Sequence, residues 1–266
     1  MMKLLAFLGL PLILGTSFIM AADEITLIGG SQTWLPYFET PEESGKTWTG
    51  IAPGVVQGTA QTFSYKVKYE ILAKEKNQRT GAHEISSGEK SKPVCFIDSI
   101  IWQPQLKENF YVSEPLVVLK DQTIYRKNGF PGGKTPSFEN IPKGAKIGTC
   151  AGYSYAELEP YFKSGDLIRK DYPLEGGCEI KLLENLDKKQ VDFIYTSADV
   201  AGYLIKQKKF SQGKLSTLPS LNEGTPLSLI CNKIDSSKIF IEKFNAKFKQ
   251  MSKEVEKIRA RYVSPL

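Results

Sequence analysis

The sequence predicts an α/β protein folded as two lobes, and three observations carry that expectation. Strand-like and helix-like segments alternate from Ile25 to Ile101. The same alternation restarts at Lys146 after a loop rich in Gly and Pro from Asn128 to Ser137. A late apolar strand, Leu227 to Cys231, is placed to lead the chain back to the first unit.

Taken in order, Ile25 to Ile28 reads as a short strand running into Gly29-Gly30, and a loop with Trp34, Pro36, Tyr37 and Phe38 follows. A helix is expected near Pro53, a residue suited to a first helical turn. Tyr65, Val67, Tyr69 and Ile71 alternate with Lys66, Lys68 and Glu70, the two-residue period of a half-buried strand. Asn77 to Glu89 reads as a helix, and Val94 to Ile101 as a strand buried on both faces. Leu116 to Leu119 is strongly apolar, with Thr123 to Tyr125 extending it.

The second unit reads as strand Lys146–Cys150, helix Tyr155–Phe162, strand Leu167–Tyr172, helix Glu179–Lys188, strand Val191–Tyr195 and a helix to about Gln207. A last helix is expected after the cap candidates Asp235-Ser236. Phe244, Phe248, Met251, Val255 and Ile258 give it an apolar stripe for packing on a lobe.

The amino terminus predicts export. Lys3 is the only charge before Asp23, Leu4 to Met20 is largely apolar, and Ala21-Ala22 closes the run as a small-residue cleavage site. Residues 1–22 are therefore expected to be a cleaved signal peptide, and the mature protein a soluble periplasmic monomer without membrane insertion. Removing Lys3 lowers the net formal charge from +6 to about +5. The basic residues are dispersed, which argues against a nucleic-acid surface.

Four cysteines, Cys95, Cys150, Cys178 and Cys231, allow three pairings in an oxidising compartment. Cys150 and Cys178 share the second unit, so a bridge between them is expected, while the pairing of Cys95 and Cys231 stays open. One histidine, His83, and these spacings predict no zinc site and no other cofactor.

Several motifs fail. Ser44-Gly45-Lys46-Thr47 and Gly133-Lys134-Thr135 lack the earlier Gly of a phosphate loop, since Thr40 and Asn128 stand there. No Ser lies in a Gly-x-Ser-x-Gly elbow, and His83 is expected on an exposed helix, so no catalytic residues are assigned.

The stretch from Val94 to Leu116, with Gln103-Pro104-Gln105-Leu106 and Val112-Ser113-Glu114-Pro115-Leu116, resembles the periplasmic solute-binding proteins of family 3, best known for amino-acid import. Trp34-Leu35-Pro36-Tyr37-Phe38 with Gly50 is similar to the family's pocket loop and first helix entry. Gly148 to Tyr155 is similar to its second-lobe strand and helix start, and Gln190-Val191-Asp192-Phe193 to a later second-lobe strand.

The resemblance implies a type II periplasmic-binding-protein-like fold, with lobe 1 over 23–118 and 222–266 and lobe 2 over 119–221. Hinge closure on a small polar or anionic solute follows from it, with an ABC-type permease or a sensor as partner. A dehydratase-like enzyme on the same scaffold, or a sensing protein without transport, are the alternatives. Two departures speak against a standard amino-acid ligand. Leu106 stands where the family has a carboxylate-binding Arg, and Ser197 where it has an ammonium-binding Asp.

Candidate ligand contacts are the aromatic residues Trp34, Tyr37 and Trp102, with Arg79 and Ser113 also from the first lobe. From the second come Gly152, Tyr153 and Ser154 before a helix, which suits an anion, and Thr196, Ser197 and Asp199 at a strand end.

Overall fold

The computed structural model describes residues 23–29, 34–39, 46–72, 78–101, 103–128, 136–174, 177–207, 210 and 214–266, with the backbone alone for 78–81. The expected signal peptide 1–22, Trp102, the side chain of Arg79 and most of the Gly- and Pro-rich loop lie outside the described residues.

In chain order the elements are β1 (Glu24–Gly29), α1 (Ile51–Gln61), β2 (Lys66–Ile71), α2 (Gln78–Gly88), β3 (Val94–Asp98), α3 (Leu106–Asn109), β4 (Phe110–Leu119), β5 (Asp121–Arg126) and β6 (Ala145–Cys150). There follow α4 (Glu159–Ser164), β7 (Leu167–Tyr172), α5 (Cys178–Asp187), β8 (Phe193–Ser197), α6 (Ala198–Lys206), β9 (Leu215–Thr217), β10 (Thr225–Asn232), α7 (Asp235–Phe248) and α8 (Ser252–Tyr262).

The strands build two five-stranded mixed sheets, ordered β2-β1-β3-β10-β4 and β7-β6-β8-β5-β9. Both follow one plan. Three parallel strands lie side by side, and two more continue the sheet antiparallel to their neighbours. The chain passes between the sheets at Lys120, which separates β4 from β5, and returns between β9 and β10. This is the two-lobed α/β architecture expected.

Each sheet is covered on its two faces. On one face of the first, α1 buries Ile51, Val55 and Val56 with Ile25, Leu27, Phe240 and Phe244. On the other, α2 and α3 close over Ile28, Phe96, Leu106, Phe110 and Ile230. In the second lobe α5 and α6 cover Ile124 and Ile194, while Leu158 and Tyr155 pack with Ile147 and Phe193 on the opposite face. Burial of this apolar area is the main driving force for each lobe.

Four expectations are corrected. The apolar run around Leu116–Tyr125 is not one strand. It divides at Lys120 into β4 and β5, which belong to different sheets. The helix expected from Tyr155 opens instead at Glu159, because the Tyr155 hydroxyl turns back to bond the Cys150 N–H (2.9 Å) and carbonyl (3.0 Å), and Pro160 takes the first turn. The last helix is two, α7 and α8. Bonds from Gln250 to Lys247 and from Met251 to Phe248 tighten the chain between them while keeping the apolar stripe in phase. His83 is not exposed: it packs on Phe96 with centroids 4.6 Å apart, and Nε2 lies 3.3 Å from the Asp98 carboxylate.

Two disulfides are formed. Cys150 joins Cys178, as expected, tying the end of β6 to the start of α5. Cys95 joins Cys231 directly across the β3–β10 pairing, which settles the open pair.

Candidate functional site

Parallel strands carry their carboxyl ends to one edge of a sheet, and α/β clefts open along that edge. In the first lobe the loop after β1 occupies this position. It folds on itself through Trp34 N–H to Phe38 carbonyl (2.7 Å) and Phe38 N–H to Trp34 carbonyl (3.0 Å), with a cis Leu35–Pro36 bond between them. Trp34 meets Tyr37 and Phe38 edge-on at 5.4 and 6.0 Å and remains partly exposed.

The same loop caps α1, because Ile51 and Ala52 N–H groups donate to the Pro36 and Tyr37 carbonyls. Gly50 makes this possible. Its φ is 113°, and a Cβ there would lie 2.7 Å from the Tyr37 carbonyl oxygen.

In the second lobe β6 and β8 end at the corresponding edge, and β5, running the other way, begins there. Asp121 therefore stands directly opposite Ser197 in the β5–β8 register. Ser197 caps α6 by accepting the Asp199 N–H at 3.2 Å, as Ser does at helix starts. Its hydroxyl also lies 2.5 Å from the Tyr37 hydroxyl, joining the lobes. Burial first, then the Asp199 charge, hold the Tyr37 hydroxyl protonated far above the ordinary tyrosine range. Arg259 of α8 donates to Asp199 through Nε at 2.9 Å and through Nη2.

The rest of this edge is rich in carboxylates. Asp121 is pushed up to about 6 by burial and then by the charges of Glu157 and Glu179. Glu157 accepts from the Tyr195 hydroxyl at 2.5 Å and from Asn222 Nδ2 at 2.8 Å. Tyr153 is 55% exposed, and its hydroxyl is raised by burial and by Glu179 and Asp121. Tyr155 is pushed up to about 12, chiefly by burial. The field here is negative.

The expected residues sort as follows. Trp34, Tyr37, Ser197 and Asp199 are linked where the lobes meet, while Thr196 is buried in β8 opposite Gln122. Gly152, Tyr153 and Ser154 lie in an exposed turn after β6, and α4 starts five residues beyond Ser154. Ser113 is buried within the first sheet, where it accepts the Leu229 N–H at 2.9 Å and donates to the Glu114 carbonyl at 2.6 Å. Leu106 is 3% exposed and packs in the core with Phe96 and Phe110, so no polar group is offered from that position.

Sequence reasoning missed Asp121, Glu157, Glu179 and Arg259. Asp121 carried a usable signal, since it directly follows the crossing at Lys120; the others are joined to the site only by the fold. Among the described residues no group of three or more His, Cys, Asp or Glu is placed to hold a metal, and no helix is long and apolar enough to cross a membrane.

No protein-family description matches the chain, and no curated protein matches it by sequence. Solved structures do match in fold. The second substrate-binding domain of Lactococcus lactis GlnP, in an open conformation, superposes with a TM-score of 0.69 at 18% identity, covering 91% of this chain and 95% of that one. The unliganded, open L-cystine solute receptor of Neisseria gonorrhoeae gives 0.64 at 17%, covering 91% and 93%. An ancestral cyclohexadienyl dehydratase gives 0.57 at 15%, covering 90% and 91%. These likenesses establish the two-lobed binding-protein architecture.

Proposed function

We propose that this chain is an exported solute-binding protein, freed of residues 1–22, that closes two lobes (23–118 with 222–266, and 119–221) over a small polar solute and delivers it to an ABC-type importer without turning it over. The observation that carries the reading is the convergence, at the facing edges of two matched sheets, of a partly exposed aromatic wall, Trp34, and a half-buried carboxyl, Asp121. The solved neighbours that share the architecture are named as substrate-binding domains and solute receptors, which supports it.

The charge at that edge refines the ligand class. Asp121, Glu157 and Glu179 repel an anion and attract a cation or a strong hydrogen-bond donor. The helix start that favoured an anion at Gly152–Ser154 is displaced to Glu159. A solute with a cationic or donor-rich head and a body that stacks on Trp34 fits best.

The test is thermal unfolding against a panel of diamines, guanidino compounds, dipolar amino acids and dicarboxylates. A fitting solute at a hundredfold excess over its Kd adds about 2.7 kcal/mol, or roughly 5–10 °C for a chain of this size. Shifts from cationic members alone support the reading, and shifts from dicarboxylates alone overturn its charge assignment.

One observation favours a second reading, an enzyme of the dehydratase kind. A carboxyl pushed up to about 6 at the edge where the lobes meet is suited to acid–base work. Chemical change of the bound solute during incubation, lost in Asp121→Asn, distinguishes it from binding.

A further inference from the structure

Helix α8 belongs by packing to the first lobe. Ile258 seats on α1, where a Cβ at Gly54 would stand 3.0 Å from its side chain and one at Gly58 3.8 Å. Its carboxyl end, however, runs onto α6 of the second lobe. Arg259 holds Asp199 in the first turn of α6. Lys206 Nζ donates to the Ala260 carbonyl, and the Ser264 N–H donates to the Gly202 carbonyl at 3.1 Å. Leu266 packs on the second-lobe core that contains Leu204 and Ile205.

The fit is close. A Cβ at Gly202 would collide with the Ser264 carbonyl oxygen and the Val263 side chain, so the segment lies this near α6 only over a glycine. Two covalent crossings already join the lobes; residues 259–266 add a third, non-covalent tie. Its charged member falls beside the Tyr37–Ser197 contact, because both use the amino end of α6.

We infer that Arg259 is a positioning residue for lobe closure. With residues 260–266 it straps α6 to the first lobe, and its guanidinium supplies the counter-charge that Asp199 needs when the lobes meet. The Asp199 side chain is only 14% exposed, so the carboxylate has little water to replace that partner. This rests on the reading that the lobes open and close, and it adds that the chain itself sets how far.

Small-angle X-ray scattering of the full mature chain, with no solute added, tests it. A compact chain of roughly 240 residues has a radius of gyration of about 18 Å. Arg259→Gln and a chain ending at Tyr262 are expected to scatter with a larger radius than the parent, with unchanged far- and near-ultraviolet dichroism. The exchange Asp199→Arg with Arg259→Asp is expected to restore the parent curve.

Gly202→Ala separates the strap from general stability. Alanine improves helix propensity, so expansion there can come only through lifting the 263–264 segment. Superimposable curves for Arg259→Gln, the truncation and Gly202→Ala overturn the inference and leave solute binding standing. A parent that binds no solute yet expands on these changes sinks the binding reading and leaves the strap.

Discussion

The two lobes share a plan and differ at the edges they turn toward each other. Both sheets place their first parallel strand between the other two and finish with antiparallel strands. The first lobe's edge is sealed: Tyr37 is 1% exposed, Leu106 is in the core, and the aromatic loop spends its carbonyls capping α1. The second lobe's edge is polar and acidic, with Asp121, Glu157 and Glu179 beside exposed Tyr153. The first edge is apolar and the second is charged, so substitutions on the two sides should fail in different ways.

The disulfides draw the contrast most strongly. Cys95–Cys231 spans 136 residues inside the first sheet, and Cys150–Cys178 spans 28 at the edge of the second. Loop-closure entropy gives about 5 kcal/mol for the longer span and roughly 3.5 kcal/mol for the shorter. Replacing the first pair with serine should therefore lower the denaturant midpoint more than replacing the second. The reverse order would show that native packing, rather than chain constraint, sets the difference.

Gly50→Ala comes next. It places a Cβ against the Tyr37 carbonyl at a positive φ and should cost on the order of 1–3 kcal/mol in the first lobe. Binding should weaken with it, because the Trp34 loop rests on the same contact.

Asp121 makes the second lobe sensitive to pH in a direction its sign determines. Its folded pKa, about 6, lies above the ordinary 3.8. Between those values the folded protein keeps a proton that the unfolded chain releases, so stability falls as pH rises from about 4 to 6. The change is on the order of 1–2 kcal/mol once partial solvent access is allowed for. Asp121→Asn should flatten that slope. Affinity for a cationic solute should rise over the same interval, as the carboxyl ionises, and the variant should lose that rise too.

The smallest stability effect is expected at Trp34. Trp34→Ala removes a partly exposed ring and should change folding stability by under about 1 kcal/mol, while weakening solute binding at least tenfold. Calorimetric titration checks it. Equal affinity would move the pocket away from this wall.

Most of the fold was legible in the sequence, because burial on both faces leaves apolar runs such as Val94–Phe96 and Leu227–Cys231 that only a central strand explains. The change of sheet at Lys120 was not legible in periodicity, since Leu116–Leu119 and Thr123–Tyr125 read as one continued segment; only the family resemblance put a lobe boundary close by, between 118 and 119. The turn before α4 depends on one hydroxyl bonding back to Cys150, a contact between neighbours that hydrophobic patterning does not encode. At the candidate site, Trp34, Tyr37, Ser197 and Asp199 were singled out from local order along the chain, and the fold places them at the lobe junction. Glu157 and Arg259 owe their places to folding over 38 and 60 residues to meet Tyr195 and Asp199.

Native mass spectrometry of the protein, purified without denaturation from the cells that make it, bears most directly on solute capture between the lobes. A population carrying one small molecule is expected, released unaltered on unfolding and depleted in Trp34→Ala. Bare polypeptide in every preparation, with no mass gained when the cationic panel is added back, would contradict it.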